Sequence, residues 1–202
     1  MGPMSNRPSS ARAFFTAVVI CFSISAALGP RPAAAAAFDS LTAGLAYASA
    51  AGRSEYSDYW QSGNGAEAFL STSFYWGKVR LGARYLFNAG TTATLDYHSV
   101  FMYGGWSAQL GLPLALSLEP GISVGGTVMA FDADPGTHNR FETEVAAEIF
   151  VRLGIPVYGR WQLAATGGWN TILTYHRIDL PFFSIGVSRE LSMPGWIRGF
   201  LE

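Results

Sequence analysis

The stretch Phe141-Glu142-Thr143-Glu144-Val145-Ala146-Ala147-Glu148-Ile149-Phe150-Val151-Arg152-Leu153 decides the fold. Phe141, Thr143, Val145, Ala147, Ile149, Val151 and Leu153 share one parity, and Glu142, Glu144, Ala146, Glu148, Phe150 and Arg152 share the other. Successive side chains of a strand point to opposite faces, so this is a two-faced β-strand with four charges on one face. Its two faces meet two different environments, and the rest of the chain says which.

Working outward, the whole chain of 202 residues is half hydrophobic and only 13% charged, with 23 glycines, 14 phenylalanines, 9 tyrosines and 6 tryptophans. That is too apolar for an ordinary soluble domain. Beyond residue 37, however, no uncharged apolar run reaches the roughly 18 residues that a spanning helix needs. Helical spans are excluded from the main body, and alternating strands are left to carry the apolar residues. The length predicts one domain.

The N-terminus reads as a signal to be removed. Arg7 and Arg12 form a positive region, Ala13 to Leu28 an apolar one, and the run Ala33 to Ala37 a small-residue cleavage site ending at Ala37. Residues 1–37 are thus predicted to be a cleaved signal peptide. Cys21, the sole cysteine, leaves with it, so no disulfide or thiolate chemistry is expected in the mature chain. Removing Arg7, Arg12 and Arg31 leaves 10 basic residues against 14 acidic, a net charge of about −4 that argues against nucleic acid as a partner.

Seven further alternating segments surround the opening stretch. They begin near Leu41, Glu67, Val79, Leu95, Leu114, Trp161 and Pro181, and the last ends near Leu191. Tight turns are predicted at Gly77-Lys78, Gly111-Leu112-Pro113 and Gly154 to Gly159, and longer connections at 52–65, 88–94, 130–140 and 174–180. The parity of the aromatic residues changes near Gly104-Gly105, which predicts a bulge, and Pro120 predicts a bulge or a broken pairing.

Which face is outside follows from where the large and charged residues fall. The face opposite the apolar one holds mostly Gly, Ala, Ser and Thr with scattered charges, where a soluble surface would carry many Lys and Glu; Lys78 is the only lysine. The strands have the length a tilted span requires, about 9–11 residues or more. Trp76, Trp106, Tyr158 and Trp161 gather by the short turns, and Tyr47, Tyr85, Phe87, Tyr97, Phe141 and Trp169 by the long loops, as two aromatic girdles would. The competing reading is an ordinary sheet whose aromatics pack a core. The inverted reading is preferred: an all-β, eight-stranded, antiparallel up-and-down transmembrane barrel over 38–191, after the signal, with a periplasmic tail at 192–202.

In strand number and loop alternation the chain resembles the small eight-stranded outer-membrane barrels of the OmpA or OmpX type, over essentially all of Phe38 to Leu191. The resemblance implies a bacterial outer-membrane location and contact with the bilayer, lipopolysaccharide and the outer-membrane assembly machinery. It further implies a monomer, with long loops outward and turns in the periplasm. Such barrels commonly end on an aromatic residue of the last strand; here Phe200 is followed by Leu201-Glu202 and is separated from that strand by Pro194-Gly195.

Counted from the predicted turns, Arg84, Glu119 and Glu148 fall at similar depth. The lumen of eight strands is narrow enough for side chains to fill it, and unpaired buried charges cost several kcal/mol each. An ion cluster of Arg84, Glu119 and Glu148 is therefore predicted, with Arg80, Glu144 and Arg152 as outer members, and it plugs the barrel. Paired carboxylates could also serve acid–base catalysis or an ion path. His98, His138 and His176 lie near the long-loop end, and His98-Ser99 hints at the lipid A-modifying enzymes found among such barrels, but adjacent strand residues face opposite ways. Asp132-Ala133-Asp134-Pro135-Gly136 resembles the start of a calcium loop, yet Thr137 holds the position that requires glycine and no glutamate stands at the twelfth. Tyr56, Tyr59 and Trp60 are placed in the headgroup layer. No metal and no cofactor are expected. The expected function is a non-enzymatic, structural or surface-interacting barrel; the alternatives are a narrow pore for small or apolar solutes and a lipid A-modifying enzyme.

Overall fold

The computed structural model describes residues 38, 40–50, 59–91, 94–132, 141–174, 178–196 and 199. The expected signal segment, and residues 197, 198 and 200–202 of the tail, lie outside the described residues. Among those described, eight strands form the wall: β1 (Ser40–Ala50), β2 (Gly63–Phe74), β3 (Gly77–Asn88), β4 (Tyr97–Ala108), β5 (Ser117–Phe131), β6 (Phe141–Tyr158), β7 (Trp161–Ile172) and β8 (Ile178–Ser192). Each pairs antiparallel with its neighbours in sequence, and β1 pairs with β8 from Ser40↔Ser192 to Ala50↔Phe182, closing the cylinder. Closure leaves no unpaired strand edge. No helix among the described residues is long and apolar enough to cross a membrane.

The faces are inverted relative to a soluble protein. Leu81 is 63% exposed and Val145 57%, whereas Arg84 is 3% exposed and Glu148 4%. Leu45, Leu70, Met102, Ile122 and Ile185 join the apolar exterior. The alternation of small or polar residues with large apolar ones thus places lipid-compatible side chains outside and charges in the lumen.

Three local expectations are corrected. The β2–β3 turn is Tyr75-Trp76, with Tyr75 at φ 52°, so Gly77-Lys78 opens β3 and Lys78 faces inward. No bulge occurs at Gly104-Gly105, where β4 stays in unbroken register with both β3 and β5. Tyr97, Phe101 and Tyr103 are buried inside, and their lumen-facing rings imitate in sequence a change of phase. The register shift lies instead between Pro156 and Tyr158, because β6 runs past Gly154 and turns only at Gly159-Arg160, where Gly159 takes φ +56°.

Pro120 breaks its pairing on one side only. The β4–β5 ladder stops at Ser107↔Gly121 and resumes at Leu110↔Leu118, while Pro120↔Val151 continues on the β6 side. Its missing N–H removes a donor toward β4 alone. Below it, the turn over Pro113–Ala115 puts Leu114 and Ala115 at positive φ.

The inverted packing predicts that Leu81→Arg costs about 2–4 kcal/mol of folding stability near mid-bilayer. Urea titration of the barrel in lipid vesicles measures this. An effect within about 0.5 kcal/mol, as for a solvated surface position, would contradict a lipid-facing Leu81.

Candidate functional site

The lumen is built on pairs of large rings and glycines. A Cβ at Gly44 would stand 2.2 Å from the Phe69 ring, and one at Gly82 would stand 2.5 Å from the Tyr103 ring. Gly121 and Gly168 receive Phe150 and Phe182 in the same way. Each ring therefore reaches into the space that a glycine of the neighbouring strand leaves free, and the arginines lie over the rings. Arg84 is 3.8 Å from the centroid of Phe182, and Arg80 lies over Phe69 and Phe150 at 4.7 and 5.1 Å. Desolvated cation–π contacts of this kind are worth about 2 kcal/mol each, too little by themselves to offset burying a guanidinium.

Carboxylates supply the rest. Arg84 Nη1 donates to Glu148 Oε2 at 2.6 Å and Nη2 to Glu148 Oε1 at 3.3 Å, a bidentate pair at the centre of the barrel. Its Nη2 is also 3.6 Å from Glu67 Oε1, which accepts a short hydrogen bond from the Tyr103 hydroxyl. Asn170 Nδ2 donates to Glu148 Oε2 at 3.4 Å. Nearer the turn end, Lys78 Nζ lies 2.6 Å from Glu119 Oε1, and Arg80 Nη2 lies 3.3 Å from Glu119 Oε2. Arg152 Nη2 donates to Ser188 Oγ at 3.1 Å.

Two clusters thus stand where one was expected, and Arg84 pairs with Glu148 but not with Glu119. Misplaced turns caused the error: Glu119 lies two residues inside β5 at the turn end, whereas Arg84 lies seven inside β3. Strand stagger matters as well. The hydrogen-bonded row through Glu148 runs by Ser123 and Gly105 to Arg80, four residues below Arg84. Glu144 is half-buried and joins no ion pair among the described residues. Sequence reading missed Glu67, Lys78 and Tyr103. The inward parity of β2 could have revealed Glu67; the misplaced turn hid Lys78, and the false change of phase hid Tyr103.

Toward the loop end the lumen turns apolar: Tyr97, Phe101, Met129, Ala146, Ile172 and Leu180 pack together, with Trp60 against them. Trp60 Nε1 donates to Leu95 O at 3.0 Å and its ring meets Tyr97 edge-on, so Trp60 sits over the mouth and not in the headgroup layer. Tyr56, His138 and His176, and all but the first residue of the calcium-like segment, lie outside the described residues.

Of the expected girdle residues, Tyr97 is a correction, since its ring is in the lumen. Trp76 and Trp106 pack edge-to-face at 4.2 Å by the turn end, and Tyr158 and Trp161 are exposed at the same end of the barrel. Tyr47, Tyr85, Phe87 and Phe141 are exposed at the loop end, and Trp169 is half-buried. Tyr47 donates to Asn64 Oδ1 at 2.6 Å. The Tyr85 hydroxyl is 2.7 Å from His98 Nδ1, and His98 Nε2 is 4.0 Å from Asp132 Oδ1. His98 points outward, whereas Ser99 is buried in the lumen. No group of three or more metal-ligating side chains occurs among the described residues.

The architecture is that of a small, closed, eight-stranded antiparallel barrel with an apolar exterior and a charged lumen. Among solved structures it is similar to Neisserial surface protein A, NspA, with a TM-score of 0.57 and 13% identity over 76% of this chain and 96% of that one. It is similar also to Ail, the attachment invasion locus protein of Yersinia pestis, with a TM-score of 0.52 and 10% identity over 75% and 97% of the two chains. Compared with protein-family models and with curated proteins, the sequence finds no match.

Removing the Arg84 guanidinium leaves Glu148 and Glu67 buried without their cation. Arg84→Met is expected to lose about 3–5 kcal/mol in urea unfolding, and Glu148→Gln added to it to recover part of that loss. An unchanged midpoint for Arg84→Met would remove the pair from the account of stability.

Proposed function

We propose that this chain is a non-enzymatic barrel of the bacterial outer membrane that serves as a stable scaffold and offers its long loops for contact with the cell surroundings. The carrying observation is the filled lumen. Ion pairs and stacked rings cross it, and two cavities among the described residues, one against Arg84 and one against Arg80 and Arg152, hold about 20 and 10 Å³, each enough for about one water. A channel for hydrated solutes needs a continuous path, and bidentate bonds with ring stacking oppose one. The connections that follow β1, β3, β5 and β7 all lie at one end, so variation in them leaves the wall untouched. A surface protein and an attachment protein among the structural neighbours support the same reading.

In this reading the wall faces the bilayer, and the exposed aromatics near its two ends sit at the headgroup levels, with lipopolysaccharide against the loop-end set. The chain acts as a monomer, because its strand edges are consumed in closure. The apolar upper lumen favours a second reading, passage of small apolar solutes, in which Trp60 and the rings below it would have to separate.

Planar-bilayer recording decides between the two. The purified barrel is expected to give no steady openings, and Arg84→Ala to give intermittent ones by removing the central pair. Steady openings of the unaltered protein that vanish when a long loop is deleted would favour transport.

A further inference from the structure

The ion pair at the centre of the barrel leaves one donor over. Both terminal nitrogens of Arg84 are committed to Glu148, Nη2 also faces Glu67, and the Phe182 ring covers one face of the guanidinium. The Nε–H remains, and it has no acceptor among the described residues. Arg84 is 3% exposed, so bulk solvent does not serve it. A second group is in the same condition: Thr127 is 2% exposed, and its hydroxyl has no hydrogen-bond partner among the described residues.

The sheet register brings the two together. Arg84 pairs with Phe101 and Phe101 pairs with Thr127, so the three stand on one row across β3, β4 and β5. Arg84 and Thr127 both line a cavity of about 20 Å³, which Phe101, Ile172, Leu180 and Phe182 help to close. Every residue that lines it is buried, and none is a carboxylate. The space suits one guest the size of water. That guest has to be neutral, because Glu148 and Glu67 already meet the charge of Arg84. It also has to accept from the Nε–H and bond the hydroxyl. A hydrocarbon makes neither bond, whereas water makes both, and buried polar groups without a protein partner are ordinarily served by ordered water.

We propose that this cavity is a site for one ordered water molecule that accepts from Arg84 Nε–H and bonds the Thr127 hydroxyl, tying the central ion pair to β5 as well as to β6. The site is set by the lumen alone, so it stands or falls separately from what the loops bind.

Two measurements on the full barrel folded in detergent test it. In two-dimensional NMR, cross-peaks at the water frequency are expected for Arg84 Nε–H and for the Thr127 methyl group, of opposite sign in the laboratory-frame and rotating-frame experiments, as a bound water gives. Thr127→Val, which exchanges the hydroxyl for a methyl group of similar size, is expected to abolish the Arg84 cross-peak and to lower the thermal midpoint, whereas Thr127→Ser keeps the cross-peak. Removing a hydroxyl from a dry site would leave the midpoint unchanged or raise it. Should Thr127→Val fail to fold, the two cross-peaks of the unaltered barrel decide, and the absence of either overturns the proposal. Cross-peaks of equal sign, which mark proton exchange alone, also overturn it, as does a Thr127→Val midpoint equal to or above that of the unaltered barrel.

Discussion

A cylinder of eight strands has an interior only a few side chains across, and that narrowness governs the rest of the structure. With lipid-compatible residues committed to the outside, every charged residue on the other parity must go inside, where water cannot solvate it well. The bidentate bond between Arg84 and Glu148 is the central response to this constraint. Glu67, Tyr103 and Asn170 extend it, and the Lys78–Glu119–Arg80 group repeats the same solution one level nearer the turns.

The glycines serve the same end from the wall. Rings of Phe69, Tyr103, Phe150 and Phe182 fit so narrow a lumen because each reaches into the space that a glycine of the neighbouring strand leaves free. The rings then offer π-faces to the guanidiniums. Glycine, ring and arginine form one packing unit, which explains why so glycine-rich a chain builds a solid interior. In the proposed function, a plug of this kind frees the loops to vary and makes them the place for specificity.

Much of this was legible in the residues. The parity of 141–153 showed a charged face and an apolar one, and the rarity of lysine together with the small opposite face showed that the apolar side looks outward. The alternation of short and long connections showed an up-and-down order. The pairing partners were less legible. Depth counted from a turn is only as good as the turn, and Tyr75-Trp76 carries none of the glycine or asparagine that marks tight turns, so in sequence Lys78 reads as part of a turn instead of the lumen. Aromatic residues misled at β4 for a related reason: rings are welcome both in lipid and over a glycine, so Tyr97, Phe101 and Tyr103 do not announce their side.

By itself, then, the sequence determined the strand period, the number of strands and the sense of inversion, because each depends on local alternation and on overall composition. Only the tertiary structure decided which acid meets which base. Strand stagger and the true turns set the height of each side chain across the barrel. That height put Glu148 and Glu67 beside Arg84, gave Glu119 to Lys78 and Arg80, and set Arg152 across the strand pair from Glu119 with its hydrogen bond to Ser188.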